Sequence, residues 1–590
     1  MIVPMKKIWV LTACKEKEHA LGLLRNEGVL HIEMPRGITS GDSEKLGEQF
    51  KKINDVLQFL SETGKMKNFK NRSGMIEFVD KIQQDIDREK NLIKHKDEIL
   101  HSLGWFDVWG DVDPKDIGVL KKEGIPLRLY SCNIKFFDEL TDKYDLIKIF
   151  AKDKIVYFFV ITEKTDNIEG CEFIEMPKVS RVTFENELTE IIRELKEIEI
   201  FKEQAKYYFT SLKEWAGVIA RELEFAKAKD AMAGEEVVVL KGFVPVYDIE
   251  RVKLLALREG WGYVQADPTD DDNVPTLTKN HKWISIINPV FTFMQTFPGY
   301  KEFDISLWFL IFFSIFFAML IGDAGYGVVF ATLTFIAQCL TKPNKDVFKG
   351  FILMYILAGT TIVWGAVTGT WFGAKEIAML PGFRVLVVES INSFIDSNRN
   401  NVMYICFIIG AIHLTIAHLM KAVSKINTIN FLGDIGWACV IWWLFFVVCN
   451  LILGGVVPVW STYMGIAGVG LILIFSNFQK NMFKGMLLAL ADLPLSIIGA
   501  FSDIVSYIRL FAVGAASVAM ASTFNSMALA NGVNNILAGF IAAFVLFLGH
   551  GLNIVLGLMA VLVHGIRLNM LEFSGHLDMQ WSGHEYKPFK

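Results

Sequence analysis

The feature that most constrains this chain is the concentration of apolar sequence in its second half. Only 28 Asp, Glu, Lys and Arg residues lie in 301–590, whereas 95 lie in 1–300. Residues 286–590 are therefore predicted to form an α-helical polytopic membrane domain of about eight transmembrane helices. The apolar runs are 305–321, 325–340, 350–372, 402–420, 431–453, 464–476, 488–527 and 536–573. The last two runs are too long for one perpendicular crossing, so these helices are expected to be long and tilted.

The polar first half, residues 1–285, is predicted to be an α/β region built around a coiled coil. From Phe184 to Leu223 apolar residues follow a 4-3 spacing, with a break at Lys202. Such a narrow apolar seam needs partner helices. The helical segments predicted at residues 42–63 and 74–104 can be these partners if they fold back antiparallel to the seam. Strand-like runs occur at 5–12, 28–34, 127–132, 146–151, 155–162 and 236–243. These features predict a dumbbell of α/β lobes joined by a long antiparallel coiled coil, which spans distance rather than enclosing a substrate.

Composition disfavours several classes of function. The net charge of −5 argues against nucleic-acid binding. The seven cysteines form no CxxC pair and are expected to be reduced. The sequence shows no GxxxxGK[ST] motif, catalytic triad or metal-ligand cluster, so no catalytic residue, metal or cofactor is predicted.

The charges of the loops predict the orientation in the membrane. No cleavable signal peptide is expected, so the polar half should stay in the cytosol, and eight crossings return the C-terminus there. Nine lysines fall in loops assigned to the cytosol and three basic residues in external loops, as the positive-inside rule requires. The nine are Lys342, Lys345, Lys349, Lys421, Lys425, Lys480, Lys484, Lys587 and Lys590, and the three are Lys375, Arg384 and Arg399.

Two arginines stand inside the last two apolar runs. Arg509 is followed by a long series of apolar and small residues, and Arg567 lies in the last turns before a polar tail. A charge at mid-membrane costs roughly 3 kcal/mol on insertion scales, so two of them indicate a function. The alternative is that each arginine extends its side chain to the membrane interface or forms a structural ion pair, and this alternative has more weight for Arg567 than for Arg509. Asp503 lies nearer the cytosolic end and Glu572 near the end of the eighth run, so the partner of Arg509 is predicted to be on another chain.

Other polar and small residues mark the membrane half. His550, Asn553 and His564 share a face with Arg567 at heptad spacing, and Ser502 and Ser506 share the face of Arg509. Within a membrane, such polar helix faces must contact protein or water rather than lipid. Gly365, Gly369 and Gly373, four residues apart, are predicted to form a stripe for close helix packing. Asp323, in GDAGYG, is predicted to end a helix and have a structural partner. His413 and His418 have either a packed or a functional role, and packing is favoured.

Two segments carry a resemblance to a known family. SYIRLFAVG (506–514) and HGIRLNMLEF (564–573) resemble the arginine segments of the stator subunit of rotary V/A-type ATPases, called subunit I in prokaryotes and subunit a in eukaryotes. GVLHIE, GFVP, VPTLTKN, GDAGYG and GAVTGTWFG follow the family's order, so the resemblance covers nearly the whole chain. The chain departs from eukaryotic relatives at Gly557, where they carry an acidic residue.

The resemblance implies a non-catalytic, ion-translocating subunit of a rotary ATPase or ATP synthase. Arg509, supported by Arg567, would face the carboxylates of a rotating ring of c-type proteolipid subunits and force release of the ion. Two half-channels for H⁺ or Na⁺ would be lined by Ser502, Asp503, Ser506, His550, Asn553, His564 and Glu572. Ion flow would be coupled to ATP hydrolysis or synthesis.

The resemblance also implies partners and a location. The dumbbell would bind peripheral-stalk heterodimers of the E/G type. A central-stalk adaptor of the C/d type and, indirectly, the ATP-hydrolysing A/B head would complete the complex. The chain would lie in a prokaryotic cell membrane, with no nucleic-acid partner.

Two other interpretations stay open on the sequence alone. A secondary transporter or channel acting alone would need an internal repeat or a complete ion site, and neither is visible. A membrane-anchored scaffold or sensor would leave Arg509 and the polar face of the eighth run unexplained. Co-purification with an ATPase would discriminate against both.

Overall fold

Helices form most of this chain, as the apolar runs and the 4-3 seam predict. The structure is a computed structural model. It describes residues 1–33, 40–60, 72–125, 127–134, 137, 140, 146–152, 155–161, 168, 171–177, 179–232, 236–341, 345–476, 482–530, 532 and 535–590. Packing divides the chain into two units, one of residues 10–28, 32–241 and 589–590 and one of residues 1–9, 29–31 and 242–588. The predicted membrane boundary at residue 285 stays a prediction.

The strands and helices follow in chain order. The strands are β1 (Met5–Ala13), β2 (His31–Ile32), β3 (Leu127–Asn133), β4 (Leu146–Lys152), β5 (Ile155–Ile161), β6 (Cys171–Phe173), β7 (Val237–Pro245) and β8 (Gly262–Ala266). The helices of the first half are α1 (Lys17–Glu27), α2 (Gly41–Phe59), α3 (Arg72–Trp109), α4 (Pro114–Lys122), α5 (Arg181–Ala205), α6 (Phe209–Ala231) and α7 (Ile249–Arg258). Those of the second half are α8 (Asn288–Met294), α9 (Ser306–Ile321), α10 (Ala324–Leu340), α11 (Lys345–Thr368), α12 (Lys375–Ala378), α13 (Pro381–Arg384), α14 (Arg399–Ser424), α15 (Phe431–Leu453), α16 (Val459–Phe475), α17 (Met482–Ser506), α18 (Ile508–Leu529), α19 (Ile536–Ala560) and α20 (Ser574–His576).

The 4-3 seam is buried where α2 and α3 pack against α5 and α6. Its core is Ile53, Val56, Leu60, Met75, Val79, Ile82, Ile86, Ala205, Leu212, Ala216 and Ile219. The seam resumes at Ala205 after the break in spacing at Lys202, as predicted, and the helix itself is interrupted just afterwards by a 3₁₀ turn at Lys206–Tyr208, which separates α5 from α6. The sheet β4-β5-β3-β6 is antiparallel, and Trp109 at the end of α3 packs edge-on against Tyr157 of β5. The predicted coiled coil and one of its lobes are thus present.

The second sheet has the order β2-β7-β1-β8. The strand predicted at 28–34 is reduced to β2, because Gly28 adopts φ +60° as the C-cap of α1. The sequence offered no signal for β8, whose side chains are mostly exposed.

The apolar runs of the second half form helices of membrane-spanning length. Among the described residues, five segments qualify: Val347–Thr368, Asp396–Ser424, Phe431–Leu453, Ala489–Leu529 and Ile536–His576. α9 and α10 qualify only as a pair, bent by 118° between them, and α16 has 17 residues. The multi-pass helical domain is therefore confirmed, and the count of eight crossings stays a prediction. Lys342 and Lys480, and the side chains of Lys345 and Lys484, lie outside the described residues.

Asp323 fixes the bend between α9 and α10. Its carboxylate caps α10 by accepting from Gly325 N at 2.7 Å. It also accepts from the backbone N–H groups of Phe372 and Gly373, both at 2.8 Å. Asp323 is thus an end-of-helix residue with structural partners, as predicted.

The three glycines do not form one helical stripe, although Gly373 does allow a close approach, since a Cβ there would lie 2.8 Å from Ser522 N of α18. α11 ends at Thr368, and Gly369 and Gly373 follow it with φ of +75° and +64°, which glycine adopts without a Cβ penalty. Gly365 lies within α11, and its position brings α11 against the start of α10. The stripe was predicted from a helical spacing that the backbone does not keep.

We expect Gly365→Ala to destabilise the membrane domain. A Cβ there would lie 2.1 Å from Ala324 N, and overpacking of this kind costs about 1–3 kcal/mol or more. Gly359→Ala is the matched control, because nothing lies within 4 Å of its Cβ and the same helix carries it. Thermal unfolding in detergent should show a lower midpoint for the first variant alone. Equal midpoints would contradict the close approach of α10 and α11.

Candidate ion-translocation site

Arg509 lies at the start of α18, directly after a break in the seventh apolar run. Tyr507 separates α17 from α18 and is fully buried. Carbonyl groups near a helix end lack partners within the helix, and Arg509 Nε donates to the Ser506 carbonyl oxygen at 2.9 Å. The Arg509 side chain is 22% exposed. The guanidinium is thereby held among packed helices.

The carboxylate of Glu572 contacts both arginines. Its Oε1 accepts from Arg509 Nη2 at 2.5 Å and lies 3.4 Å from Arg567 Nε. The Glu572 side chain is 4% exposed, whereas that of Arg567 is 53% exposed. The prediction that Arg509 lacks a partner in its own chain is therefore wrong. Because guanidinium groups stay charged in proteins, two cations share one carboxylate and the cluster keeps a surplus positive charge.

The winding of the last apolar run explains this pairing. After α19 the chain continues in π-helical turns at Val561–Gly565 and Leu568–Phe573. In an α-helix, Arg567 and Glu572 would lie about 140° apart around the axis. A π-helical turn closes from residue i to i+5 and turns both side chains towards one side. The heptad spacing used for the prediction does not hold across these turns.

A second polar cluster joins Asp503 of α17 to the C-terminal segment. His576 Nε2 lies 3.1 Å from Asp503 Oδ2, and His576 Nδ1 lies 2.9 Å from His418 Nε2. The serines predicted beside Asp503 do not take part, since Ser502 is exposed and Ser506 Oγ donates to the Ser502 carbonyl at 2.9 Å.

His550 and Asn553 of α19 belong to a third cluster. The hydroxyl of Tyr326 lies 2.8 Å from His550 Nδ1 and 2.9 Å from Asn553 Nδ2. His550 Nε2 lies 3.1 Å from Asn525 Oδ1 on α18. Asn525 follows Arg509 by 16 residues, or about 24 Å of helix. This cluster is therefore well separated from the arginines along α18.

The histidines of α14 are buried. His413 is stacked between Phe312 and Phe573, with ring centroids 3.9 and 4.2 Å apart, as the packing interpretation predicts. His418 is also buried, at 4% exposure, but it bonds to His576.

Sequence reasoning missed Tyr326, Asn525 and His576. His576 follows Glu572 by four residues, but Glu572 lies in a π-helical turn, so this spacing gave no reliable signal. His564, predicted as a half-channel residue, lies close enough to Arg509 and Arg567 for their charges to act on its ring. Its Nδ1 has no hydrogen-bond partner within the described residues.

A cavity of about 250 Å³ lies beside α18. It is lined by small residues that follow Arg509, by polar residues before α14 and by apolar residues next to Arg509. Its lining includes Gly514, Ala515, Ala519, Asn392, Ser393, Asp396, Leu510 and Phe511. Water therefore has room along α18 from Leu510 to Ser522, beyond Arg509.

The chain is similar along its whole length to a protein of known family. It is 32% identical over 625 residues to V-type ATP synthase subunit I of Borreliella burgdorferi, covering 100% of this chain and 99% of that protein. The chain belongs to the V-type ATP synthase subunit I family. A subunit I of this complex is neither a transporter acting alone nor a sensor, so those two interpretations are set aside.

Other subunit I proteins are similar to this chain. It is 28% identical over 624 residues to V-type ATP synthase subunit I 1 of Treponema pallidum, with 100% of both chains covered. It is 26% identical over 387 residues to A-type ATP synthase subunit I of Methanocaldococcus jannaschii, covering 60% of this chain and 54% of that protein. No protein-family model matches the chain. Among solved structures, the chain is similar to a crystal structure of the cytoplasmic N-terminal domain of subunit I, a homologue of subunit a of V-ATPase. The match covers 44% of this chain and 100% of the solved chain, at 14% sequence identity and a TM-score of 0.22.

Proposed function

We propose that this subunit I is the non-catalytic stator that passes ions between two half-channels and the rotating c-ring. The observation that carries the proposal is the arginine cluster, in which Arg509 and Arg567 share the single carboxylate of Glu572. A carboxylate in lipid is costly when charged, so a ring carboxylate would face lipid only when protonated or holding Na⁺. Beside the surplus cation it would be ionised, and its ion would be released.

The surface of the last span supports contact with a ring. Its most apolar stretch is 22% buried within the chain, whereas the other four spans range from 33% to 44%. Arg567 is half exposed on this span. A guanidinium that faces bare lipid is expensive, so a protein partner of opposite charge suits this surface.

Polar groups on either side of the cluster fit two half-channels. We assign Ser502, Asp503 and Ser506 to the cytosolic one. We assign His550 and Asn553, together with the cavity beside α18, to the outer one. Arg509 would separate them, because an approaching cation is repelled by the surplus charge.

The long helical arm supports the proposed anchoring. The buried seam of α2, α3, α5 and α6 makes a stiff rod, which would bind E/G-type peripheral stalks and resist the torque made by the A/B head. A C/d-type adaptor would couple the ring to that head. The ion carried would be H⁺ or Na⁺, in a prokaryotic cell membrane.

A photocrosslinker at Val563 tests the contact with the ring. Val563 is 54% exposed and lies one turn before Arg567. Benzoylphenylalanine at this position should crosslink the chain to a small proteolipid in membranes that contain the assembled complex. The matched control is Val363 of α11, which is 64% exposed on another span. Lipid adducts alone at both positions would contradict a ring at the last span.

A further inference from the structure

We propose that His576 holds and passes a proton on the cytosolic access path to Arg509, with Asp503 and His418 as its partners. The inference rests on the proposed ion-translocating function. It concerns a residue of the C-terminal segment, which lies outside the arginine signatures. Within the part of the chain that the structure describes, His576 bonds to Asp503 and His418 and not to the arginines, so it would act as a positioning residue on the path of the proton.

Both ring nitrogens of His576 take part in hydrogen bonds. Beside the ionised carboxylate of Asp503, its Nε2 must carry a proton and donate, since a carboxylate only accepts. Its Nδ1 faces His418 Nε2 at 2.9 Å, and one proton must lie between these two nitrogens. With His576 neutral, His418 donates that proton; with His576 protonated at both nitrogens, His576 donates it. Both bonds therefore survive the gain or loss of one proton.

Exposure falls along the cluster from Asp503 inwards. The Asp503 side chain is 33% exposed, that of His576 is 12% exposed, and His418 is 4% exposed. Nδ1 of His418 has no hydrogen-bond partner within the described residues, so it is open to a proton when Nε2 donates. The cluster thus reaches from the more accessible carboxylate to a buried base.

His576 also lies next to the arginine cluster along the chain. Glu572 precedes it by four residues, and Glu572 Oε2 has no hydrogen-bond partner within the described residues. Tyr507 is close enough to Glu572, Arg509 and Asp503 for all three charges to act on its hydroxyl. The cluster of His576 and the arginine cluster therefore lie near each other.

His413 of α14, stacked between Phe312 and Phe573, is a further titratable group close enough to interact with His576. The other charged groups near the pair are compensated. Lys421 of α14 forms an ion pair with Asp578, and Lys425 Nζ lies 3.3 Å from Asp434 Oδ2. Arg509 and Arg567 share Glu572, as described. Asp503 is the carboxylate in contact with His576.

The test is the pH dependence of ATP-driven ion uptake into vesicles that carry the complete complex. Proton uptake is followed with a pH-sensitive dye and sodium uptake with radioactive Na⁺, from about pH 5 to pH 8, where imidazole titrates. His576→Gln keeps a side chain that can donate to Asp503 and accept from His418, but it cannot hold the extra proton. We expect proton uptake to fall about tenfold and its pH dependence to flatten.

Controls separate this inference from the proposed function. His584→Gln, in the same C-terminal segment, should keep the wild-type rate and pH profile. If His576→Gln does not assemble, Asp503→Asn decides, because it removes the carboxylate in contact with His576 Nε2 and should also lower proton uptake and change its pH profile. A wild-type profile in either assembled variant overturns the inference, as does uptake of Na⁺ without protons. Undiminished uptake by Arg509→Ala would instead overturn the proposed function.

Discussion

Arg509→Ala should abolish ATP-driven ion uptake while the complex still assembles. The variant removes the cation that Glu572 binds at 2.5 Å and leaves one guanidinium to one carboxylate. Without the surplus charge, a ring carboxylate has no reason to release its ion at this point of the cycle. We expect uptake at background level in membrane vesicles, measured with subunit composition in the same preparation.

Two further variants test whether the effect is specific to the guanidinium of Arg509. Arg509→Lys keeps the positive charge but replaces the planar guanidinium, with its several N–H donors, by a compact ammonium on an unbranched side chain. Ion uptake by this variant should therefore remain strongly impaired. Arg384→Ala removes an exposed arginine of the segment before α14 and should leave uptake unchanged. Full uptake by an assembled Arg509→Ala complex would make Arg509 a structural charge and point to Arg567.

Glu572→Gln should strongly destabilise the membrane domain. The side chain is 4% exposed and compensates two guanidinium groups, one of them 22% exposed. Removing one partner of a buried ion pair typically costs about 3–5 kcal/mol, because the remaining charge is left uncompensated. Arg567 is half exposed, which lowers the cost to roughly 2–3 kcal/mol. Thermal unfolding in detergent should show a clearly lower midpoint.

Charge balance can be separated from packing in the same assay. Glu376→Gln changes an exposed carboxylate between α11 and α14 and should leave the midpoint unaltered. The double variant Arg567→Gln, Glu572→Gln removes one surplus cation and should recover part of the loss. If Glu572→Gln unfolds at the wild-type midpoint, the shared carboxylate contributes nothing net to stability.

The sequence predicted the parts of the fold that depend on periodicity. The seam from Ile191 to Leu223 is buried because a 4-3 spacing places those residues on one side of a helix. Arg509 and Arg567 were found because a charge in a long apolar run is rare. These signals are local in the chain, and the structure keeps them.

The sequence did not predict features that depend on a change of helical winding. Glu572 reaches Arg509 across π-helical turns, whose position no heptad count reveals. Gly369 and Gly373 keep the right spacing but lie past the end of α11. The bond between His576 and His418 joins residues 158 positions apart, and such a contact has no periodic signature.

The half-exposed Arg567 has a consequence for biogenesis. In the proposed function, a newly inserted copy of this chain would present that guanidinium to the bilayer until a ring arrives, and water or lipid phosphates would have to solvate it. Ring docking would remove this defect, so assembly gains free energy from a charge that the orphan chain tolerates poorly. Orphan copies should therefore be turned over faster than copies already joined to a ring.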